Sequence, residues 1–209
     1  DMAHPRDLLG SDGWNDIPST SSAFINRLRQ NDPQAWDRMA QVYYPLVVHW
    51  CKRRLPAEDV LEGVHDVFIA VHSGIARFRF DGPENSFRGW LRGIATNRSM
   101  DYWRNRAKQG IAAGGSQHLQ WMTRHAAESE TTPTDEQQRD ETAIIVRGAL
   151  KAIRDEFSEN TWQAFERTAI HGDRVIDVAS DLRMTTNAVS KAKSRVLKRL
   201  RQELGELIE

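Results

Sequence analysis

From Ser21 onward, apolar residues recur every three or four positions over most of the chain, the spacing of helices that bury one face. Ala35/Trp36, Met39, Val42/Tyr43, Leu46/Val47 and Trp50 form a first stripe, with Pro45 inside it, where a proline is expected to kink or split the helix. Val60/Leu61, Val64, Val67/Phe68 and Val71 form a second. Phe87, Trp90/Leu91, Ile94/Ala95 and Tyr102 form a third, entered through the turn-like Asp81-Gly82-Pro83. These stripes are expected to pack as one bundle ending near Lys108. Over residues 109–138 the period lapses into a Gly-, Ser- and Thr-rich stretch, with room for one short helix around His118 to Arg124. It returns with Ile145, Ala149, Ile153 and Phe157, then Trp162, Phe165 and Ala169. His171-Gly172-Asp173 interrupts the chain before a short helix (Val175, Val178, Ala179, Leu182) and a long one (Val189, Val196, Leu200, Leu204, Leu207). No strand pattern of any length competes. The expectation is an all-α chain of two small helical domains, 21–108 and 139–209. A flexible linker at 109–138 joins them, and a flexible extension at 1–20 precedes them.

Composition narrows the class. The 209 residues carry 29 Lys+Arg against 29 Asp+Glu, 39% hydrophobic residues and a mean hydropathy of −0.63. No apolar run approaches the ~20 residues of a membrane span. Residues 1–20 lack a basic segment followed by an apolar one, so no secretory signal and no membrane insertion are expected. A single cysteine, Cys51, excludes an internal disulfide and fits a reducing compartment, so a cytoplasmic location is expected.

A formal charge of zero argues against a nucleic-acid binder only if the charge is evenly spread, and it is not. Residues 84–110 hold six Lys/Arg against two acids, +4. Residues 183–202 hold Arg183, Lys191, Lys193, Arg195, Lys198, Arg199 and Arg201 with no acid, +7. Acidic stretches lie between and around these blocks. A basic stripe on a helix is the electrostatic footprint of a phosphate-binding surface.

The second block lies on the long final helix, which follows a short helix and the break Arg183-Met184-Thr185, the layout of a helix–turn–helix. Thr185 is placed to cap the second helix. At 100° per residue, Val189, Ala192, Val196 and Leu200 face the core. Asn187, Lys191, Ser194 and Lys198 line the opposite side, flanked by Ser190 and Arg195, so amide, hydroxyl and cationic donors face outward as a major groove requires. Arg199 and Arg201 read as phosphate contacts or plain solubility. The alternative is a basic helix that is only solvated; the preceding helix and the cap favour DNA binding.

The first block lies on the helix Phe87 to Lys108, where Trp90, Asn97, Asp101, Arg104 and Lys108 fall on one line bordering the apolar face. Taken alone, Asn97–Asp101 and Asp101–Arg104 are ordinary intrahelical polar pairs. The whole string Ser86-Phe87-Arg88-Gly89-Trp90-Leu91-Arg92-Gly93-Ile94-Ala95-Thr96-Asn97, with Asp101 and Arg104, resembles the signature F-x-x-W-L-x-x-I-A-x-N-x-x-x-D-x-x-R of extracytoplasmic-function RNA polymerase sigma factors. Upstream, Glu62-Gly63-Val64-His65-Asp66-Val67-Phe68 resembles that family's D-[LV]-V-Q-[ED]-V-F helix, and Val175 to Arg201 is similar to its second DNA-binding domain.

The resemblance implies a non-enzymatic initiation factor with no cofactor, whose partners are core RNA polymerase and promoter DNA. Residues 21–108 would be sigma region 2 and residues 139–209 sigma region 4. Glu62, His65, Asp66 and Phe68 would bind core polymerase. Phe78, Arg88, Arg92, Asn97, Arg98 and Arg104 would serve the minus-ten element, with the loop Phe78 to Phe87 and Asn97 holding a base drawn from the stack. Thr186, Asn187, Ser190, Lys191, Ser194, Arg195 and Lys198 would read the minus-thirty-five element. The acidic linker would thread polymerase channels. Many members of the family are held by an anti-sigma protein; others are controlled by extensions or phosphorylation.

The chain departs from the family pattern in places. His65 replaces the usual Gln, Gly63 an apolar residue, Arg183 a turn glycine and Lys193 an often apolar position of the recognition helix. Lys193 is expected to stretch towards phosphate.

Two rival functions remain from the residues alone. One is a helix–turn–helix regulator with a sensory or dimerising bundle. The other is a metal-dependent helical nuclease using Asp135, Glu136, Asp140 and Glu141, although acids at a helix start need no metal to explain them. His49, Cys51, His65 and His72 lack metal-ligand spacing. Cys51 reads as a packed thiol, and Trp14 and Trp121, off the apolar stripes, as docking residues for a partner.

Overall fold

The structure, a computed structural model, describes residues 22–79, 86–108 and 134–208. The expected helix at 118–124 and Trp14 and Trp121 lie outside them. Every regular element among the described residues is helical, as the periodicity predicted.

Helix α1 (Ser22–Arg29) ends where Asn31 takes φ 55°. There the amides of Asp32 and Asn31 donate back to Arg27 O (3.1 Å) and Leu28 O (3.0 Å), the paired bonds that close a helix through a left-handed residue. Asp32 then starts α2 (Pro33–Lys52), accepting from Gln34 N at 2.9 Å and Ala35 N at 3.4 Å, with Pro33 at the first helical position. Contrary to expectation, Pro45 neither splits α2 nor ends it: the helix runs through, and the exposed ring removes only the donor that Gln41 O would have received.

A 3₁₀ turn (Ala57–Asp59) leads into α3 (Val60–Gly74), and α4 spans Phe87–Lys108. On α3, Val60, Val64, Val67 and Val71 are buried, but Leu61 is 69% exposed, so it leaves the stripe to which the sequence assigned it. Gly63, where the family pattern has an apolar residue, packs against Leu55, so that a Cβ there would meet the Leu55 side chain after α2.

Helix α5 (Asp135–Ile153) begins four residues before the expected boundary. Its first turn is polar and invisible to an apolar period. A capping box sets the start, with Thr134 Oγ1 accepting from Gln137 N at 3.3 Å and Gln137 Oε1 accepting from Thr134 N at 3.2 Å. Helix α6 (Glu159–Phe165) loosens into a π turn (Glu166–Ile170), followed by α7 (Val175–Asp181) and α8 (Thr186–Ile208).

One large apolar cluster takes in Leu28 of α1, Val42 and Leu46 of α2, Val67 of α3, Leu91 of α4, Val146 and Ile153 of α5, Phe165 of α6, and Val196 and Leu200 of α8. The two helical segments therefore share a core across the α2–α5 contact. At that crossing Gly148 lies so close that a Cβ would stand 2.9 Å from Val42 O and 3.1 Å from Val42 Cα. Gln41 O, the carbonyl beside Pro45, would be 3.3 Å away. A smaller cluster, Ala164, Val178, Ala179, Val189 and Ala192, sits under the helix–turn–helix itself.

The turn between α7 and α8 repeats the device that ends α1. Arg183 has φ 52°, with Met184 N donating to Ala179 O at 2.9 Å and Arg183 N to Ser180 O at 3.3 Å. A side chain in this region is disfavoured by roughly 1–2 kcal/mol, partly offset for glycine by its larger unfolded-state entropy. Arg183→Gly should therefore raise stability by about 0.5–1 kcal/mol, read from the denaturant midpoint; a lower midpoint would mean that the arginine side chain makes up the difference.

Candidate nucleic-acid interface

Helix α4 carries two different faces. On one, a cavity of about 530 Å³ opens between α3 and α4, lined among others by Phe78, Trp90, Asn97, Arg98, Asp101 and Arg104. Its size lies within the ~300–1,000 Å³ of small-ligand sites, enough for one nucleobase. Phe78 does not offer a free ring: it packs at 4.9 Å from Trp90 and 5.8 Å edge-on to Phe87, so it forms the wall. Arg29 of α1 fixes that wall by donating to Phe78 O at 2.5 Å and to Ile75 O at 3.4 Å. On the rim, Asp101 takes Arg104 at 3.2 Å and Arg98 at 3.6 Å. Asn97 is exposed beside them. The far end of α4 is anchored by Tyr102, which donates to Asp59 at 2.5 Å while Arg106 donates to the phenol oxygen at 2.7 Å. Burial first, then Asp59, pushes the Tyr102 phenol up to about 12, so it remains a donor at any working pH.

The structure groups Phe78, Asn97, Arg98 and Arg104 but separates Arg88 and Arg92 from them. Arg92 pairs with Glu141 of α5 and lies over the Trp50 ring at 5.6 Å; Arg88 donates to Thr142 Oγ1 at 3.4 Å. The resemblance placed all six together, and five of them share the one basic helix. Their angular positions on it differ, and only the fold supplies the second neighbour.

On α8, Thr185 caps as expected, its hydroxyl accepting from Ala188 N at 3.1 Å. Thr186, Asn187, Ser190, Lys191, Ser194, Arg195 and Lys198 are all exposed, opposite buried Val189, Ala192, Val196 and Leu200. Two neighbouring cations have structural duties instead. Lys193 turns back to Thr168 O at 3.5 Å rather than outward. Arg199 forks onto Glu156 with two bonds of 2.7 Å and reaches Glu203 at 2.8 Å, so it does not face a groove.

A third surface lies on α3. Glu62, His65 and Asp66 are exposed and Phe68 is half-buried. Leu61, Ile69 (51% exposed) and Tyr44 of α2 border them, with Tyr44 and Phe68 rings 6.0 Å apart. Sequence reasoning missed these three as surface residues. The available signal was that Leu61 and Ile69 fall off the Val60–Val64–Val67–Val71 line, and large apolar side chains facing water mark an interaction surface.

Among the described residues no group of His, Cys, Asp and Glu is arranged to hold a metal ion. Asp135 and Glu136 sit in the first turn of α5, whereas Glu141 is buried against Trp50 and Arg92, so the acidic run is not one site. Burial pushes the Cys51 thiol up to about 11, which leaves it unionised and inert near neutrality. No helix among the described residues is long and apolar enough to cross a membrane.

Residues 39–109, which hold most of α2 and all of α3 and α4, match the family Sigma-70 region 2. The chain is also 29% identical over 83 residues to the ECF RNA polymerase sigma-E factor of Haemophilus influenzae. That match spans 40% of this chain and 42% of the relative's length. The resemblance carried by the Trp90-to-Arg104 string and the Glu62-to-Phe68 helix is supported by these matches: residues 39–109 are similar to Sigma-70 region 2, and part of the chain is similar to an extracytoplasmic-function sigma factor.

The contrast on α8 can be measured. Arg199→Ala should lower stability by about 1–3 kcal/mol, because Glu203 is buried and loses a charged partner, whereas Lys198→Ala on the exposed side should change it by less than about 0.5 kcal/mol. Thermal unfolding of the two variants compares them directly; equal losses would mean that Lys198 also has a structural partner.

Proposed function

We propose that this chain is a transcription initiation factor of the sigma type, which binds core RNA polymerase through α3 and engages promoter DNA through the α4 cavity and the α8 stripe. The observation that carries the reading is the cavity beside Asn97 on a sigma-70 region 2 domain, in the same chain as an exposed basic recognition helix.

Each part has a physical task. Drawing one base out of a duplex costs a few kcal/mol, and a pocket offering an amide and an aromatic wall offsets that cost. Asn97 supplies the amide, while Phe78 and Trp90 supply an apolar lining without having to move, since each is already packed. Arg98 and Arg104 place positive charge on the rim, where backbone phosphates flank an extruded base. Asp101 limits how far either arginine swings.

On α8, Asn187 and Lys191 stand one turn apart, suited to base edges, and Ser190, Ser194, Arg195 and Lys198 flank them as phosphate or base contacts. On α3, exposed Leu61, Ile69 and His65 with half-buried Phe68 form a mixed apolar and polar strip suited to a helical partner on polymerase. The catalysis belongs to polymerase; the chain selects the start site.

Run-off transcription over a promoter library, with core polymerase and with or without the chain, tests this. The expected result is a new, chain-dependent set of start sites. Tight operator binding by the chain alone, with nothing gained from core polymerase, would replace the reading with an ordinary regulator. Two variants assign the faces. Lys191→Ala should reduce promoter use roughly tenfold, the cost of one good base or phosphate contact, with the complex with core polymerase intact. Asn97→Ala should impair opening of duplex promoters and spare templates already melted there; equal loss on both would make Asn97 a residue of the fold.

A further inference from the structure

Two walls of the cavity depend on the end of α3. Phe78 follows that end directly, and its ring leans on Trp90 at 4.9 Å. Gly74, the last residue of α3, meets the other wall so closely that a Cβ there would stand 3.1 Å from Trp90 Cζ2. A shift of this last turn therefore carries Phe78 with it and runs into Trp90, and the space beside Asn97 changes shape.

The turn is held only loosely by its own backbone. Arg77 N donates to Gly74 O at 2.9 Å, while Phe78 N is shared between Gly74 O (3.2 Å) and Ile75 O (3.3 Å). The last carbonyls of a helix have no intrahelical donor, and long, shared bonds hold them weakly. Arg29 of α1 makes up the shortfall. Its Nη2 donates to Phe78 O at 2.5 Å and its Nε to Ile75 O at 3.4 Å, so one planar guanidinium bridges the cap of α3 and the wall residue. Asn26 steadies the same guanidinium, Oδ1 accepting from Nη1 at 2.8 Å. A cation here also complements the negative end of the α3 dipole. Arg79 reaches Phe78 O only at 3.5 Å.

The support behind Arg29 is firm. Phe24, Ile25 and Leu28 of α1 are buried in the core, and Trp36 of α2 donates to Leu28 O at 3.1 Å, one residue before Arg29. The stretch that matches Sigma-70 region 2 begins at residue 39, so α1 lies outside it.

We infer that Arg29 is a positioning residue for promoter opening: from outside the matched stretch it clamps the end of α3 and so sets the Phe78 and Trp90 walls. This rests on the sigma reading above and adds to it what holds the pocket in shape. Arg29 is not among the residues that line the cavity; it acts through Phe78. Without the clamp the end of α3 frays, and a base held by Asn97 loses its apolar wall. A pocket that loosens by a fraction of an ångström binds less well what it was shaped for.

Arg29→Ala in the full chain tests this on two levels. In the free chain, amide exchange over residues 75–79 should quicken at least about tenfold, because the opening of that turn is no longer opposed by the guanidinium. With core polymerase, opening of duplex promoters should fall about tenfold, the effect of one lost hydrogen-bonding group at a shaped site. Templates already melted there, and affinity for core polymerase, should stay within about twofold. Adding Asn97→Ala should cost less than the product of the two single losses, since both act on one pocket. Arg29→Lys, which keeps the charge but not the fork, should fall between wild type and Arg29→Ala, and it carries the test if the alanine variant loses helix by circular dichroism. Unchanged exchange at 75–79, equal loss on duplex and melted templates, or a double loss equal to the product overturns the proposal. Failure of the sigma reading looks different: the wild-type chain gives no start sites with core polymerase on either template, which removes the role in opening, while exchange at 75–79 still quickens in Arg29→Ala.

Discussion

The Glu141 carboxylate sits in the fold almost without water, between the indole of Trp50 and the guanidinium of Arg92. A carboxylate that deep is costly unless its oxygens are satisfied by donors in fixed positions, and both donors come from the other half of the chain. Much else follows from that one requirement. α5 has to lie along α2 for the acid to meet Trp50, and the crossing is then close enough that only glycine fits at 148. α8 in turn is brought over the start of α2, where Arg38 meets Glu203. The apolar stripes supply most of the driving force for the packing; the buried acids fix its register, because a slip of one turn would leave a charge without partners.

The same constraint divides α4. A helix of 22 residues that is basic along its length presents its arginines at different angles. Arg88 and Arg92 point to α5, whereas Arg98 and Arg104 point to the cavity, and the apolar line Phe87, Leu91 and Ala95 runs between them into the core. α4 is thus a wall shared by the cavity and the seam. Anything that moves α5 changes the surroundings of the helix that carries Asn97, without touching Asn97 itself.

How much of this was legible without the fold depends on the range of the interaction. Helix positions were readable because burial of one face imposes a period, and the α8 stripe was readable because the angle between Val189 and Lys191 is fixed by helix geometry alone. The cap at Thr185 was readable because its partner is three residues away. The string from Trp90 to Arg104 pointed to the cavity as a pattern, although one wall is Phe78, held in place by Arg29, both far off in sequence. What was not legible was long-range. Arg92 read as a minus-ten contact through the family resemblance and Arg199 as a phosphate contact or plain solubility, because nothing local shows that Glu141 and Glu156 will meet them. Leu61 read as core because a leucine beside a valine stripe usually is. The polar first turn of α5 carried no apolar signal, but its Thr134-x-x-Gln137 box was there to be seen.

Zero net charge is explained by where the ions go. Arg38, Arg92, Arg154, Arg167 and Arg199 are all engaged by carboxylates, and they hold helix ends and crossings together. Lys191, Arg195 and Lys198 on α8 form no ion pair among the described residues. A balanced chain of this kind has a weak long-range field, so it is not steered to nucleic acid from a distance. Its attraction is local and directional, effective once a partner has brought the face up to the backbone within a Debye length of about 8 Å. On the proposed reading, promoter search by the free chain is slow and its non-specific binding weak, and placement comes from a partner that already holds DNA. Neutral overall charge with concentrated basic faces is the distribution expected of a subunit that works on nucleic acid only as part of a larger complex.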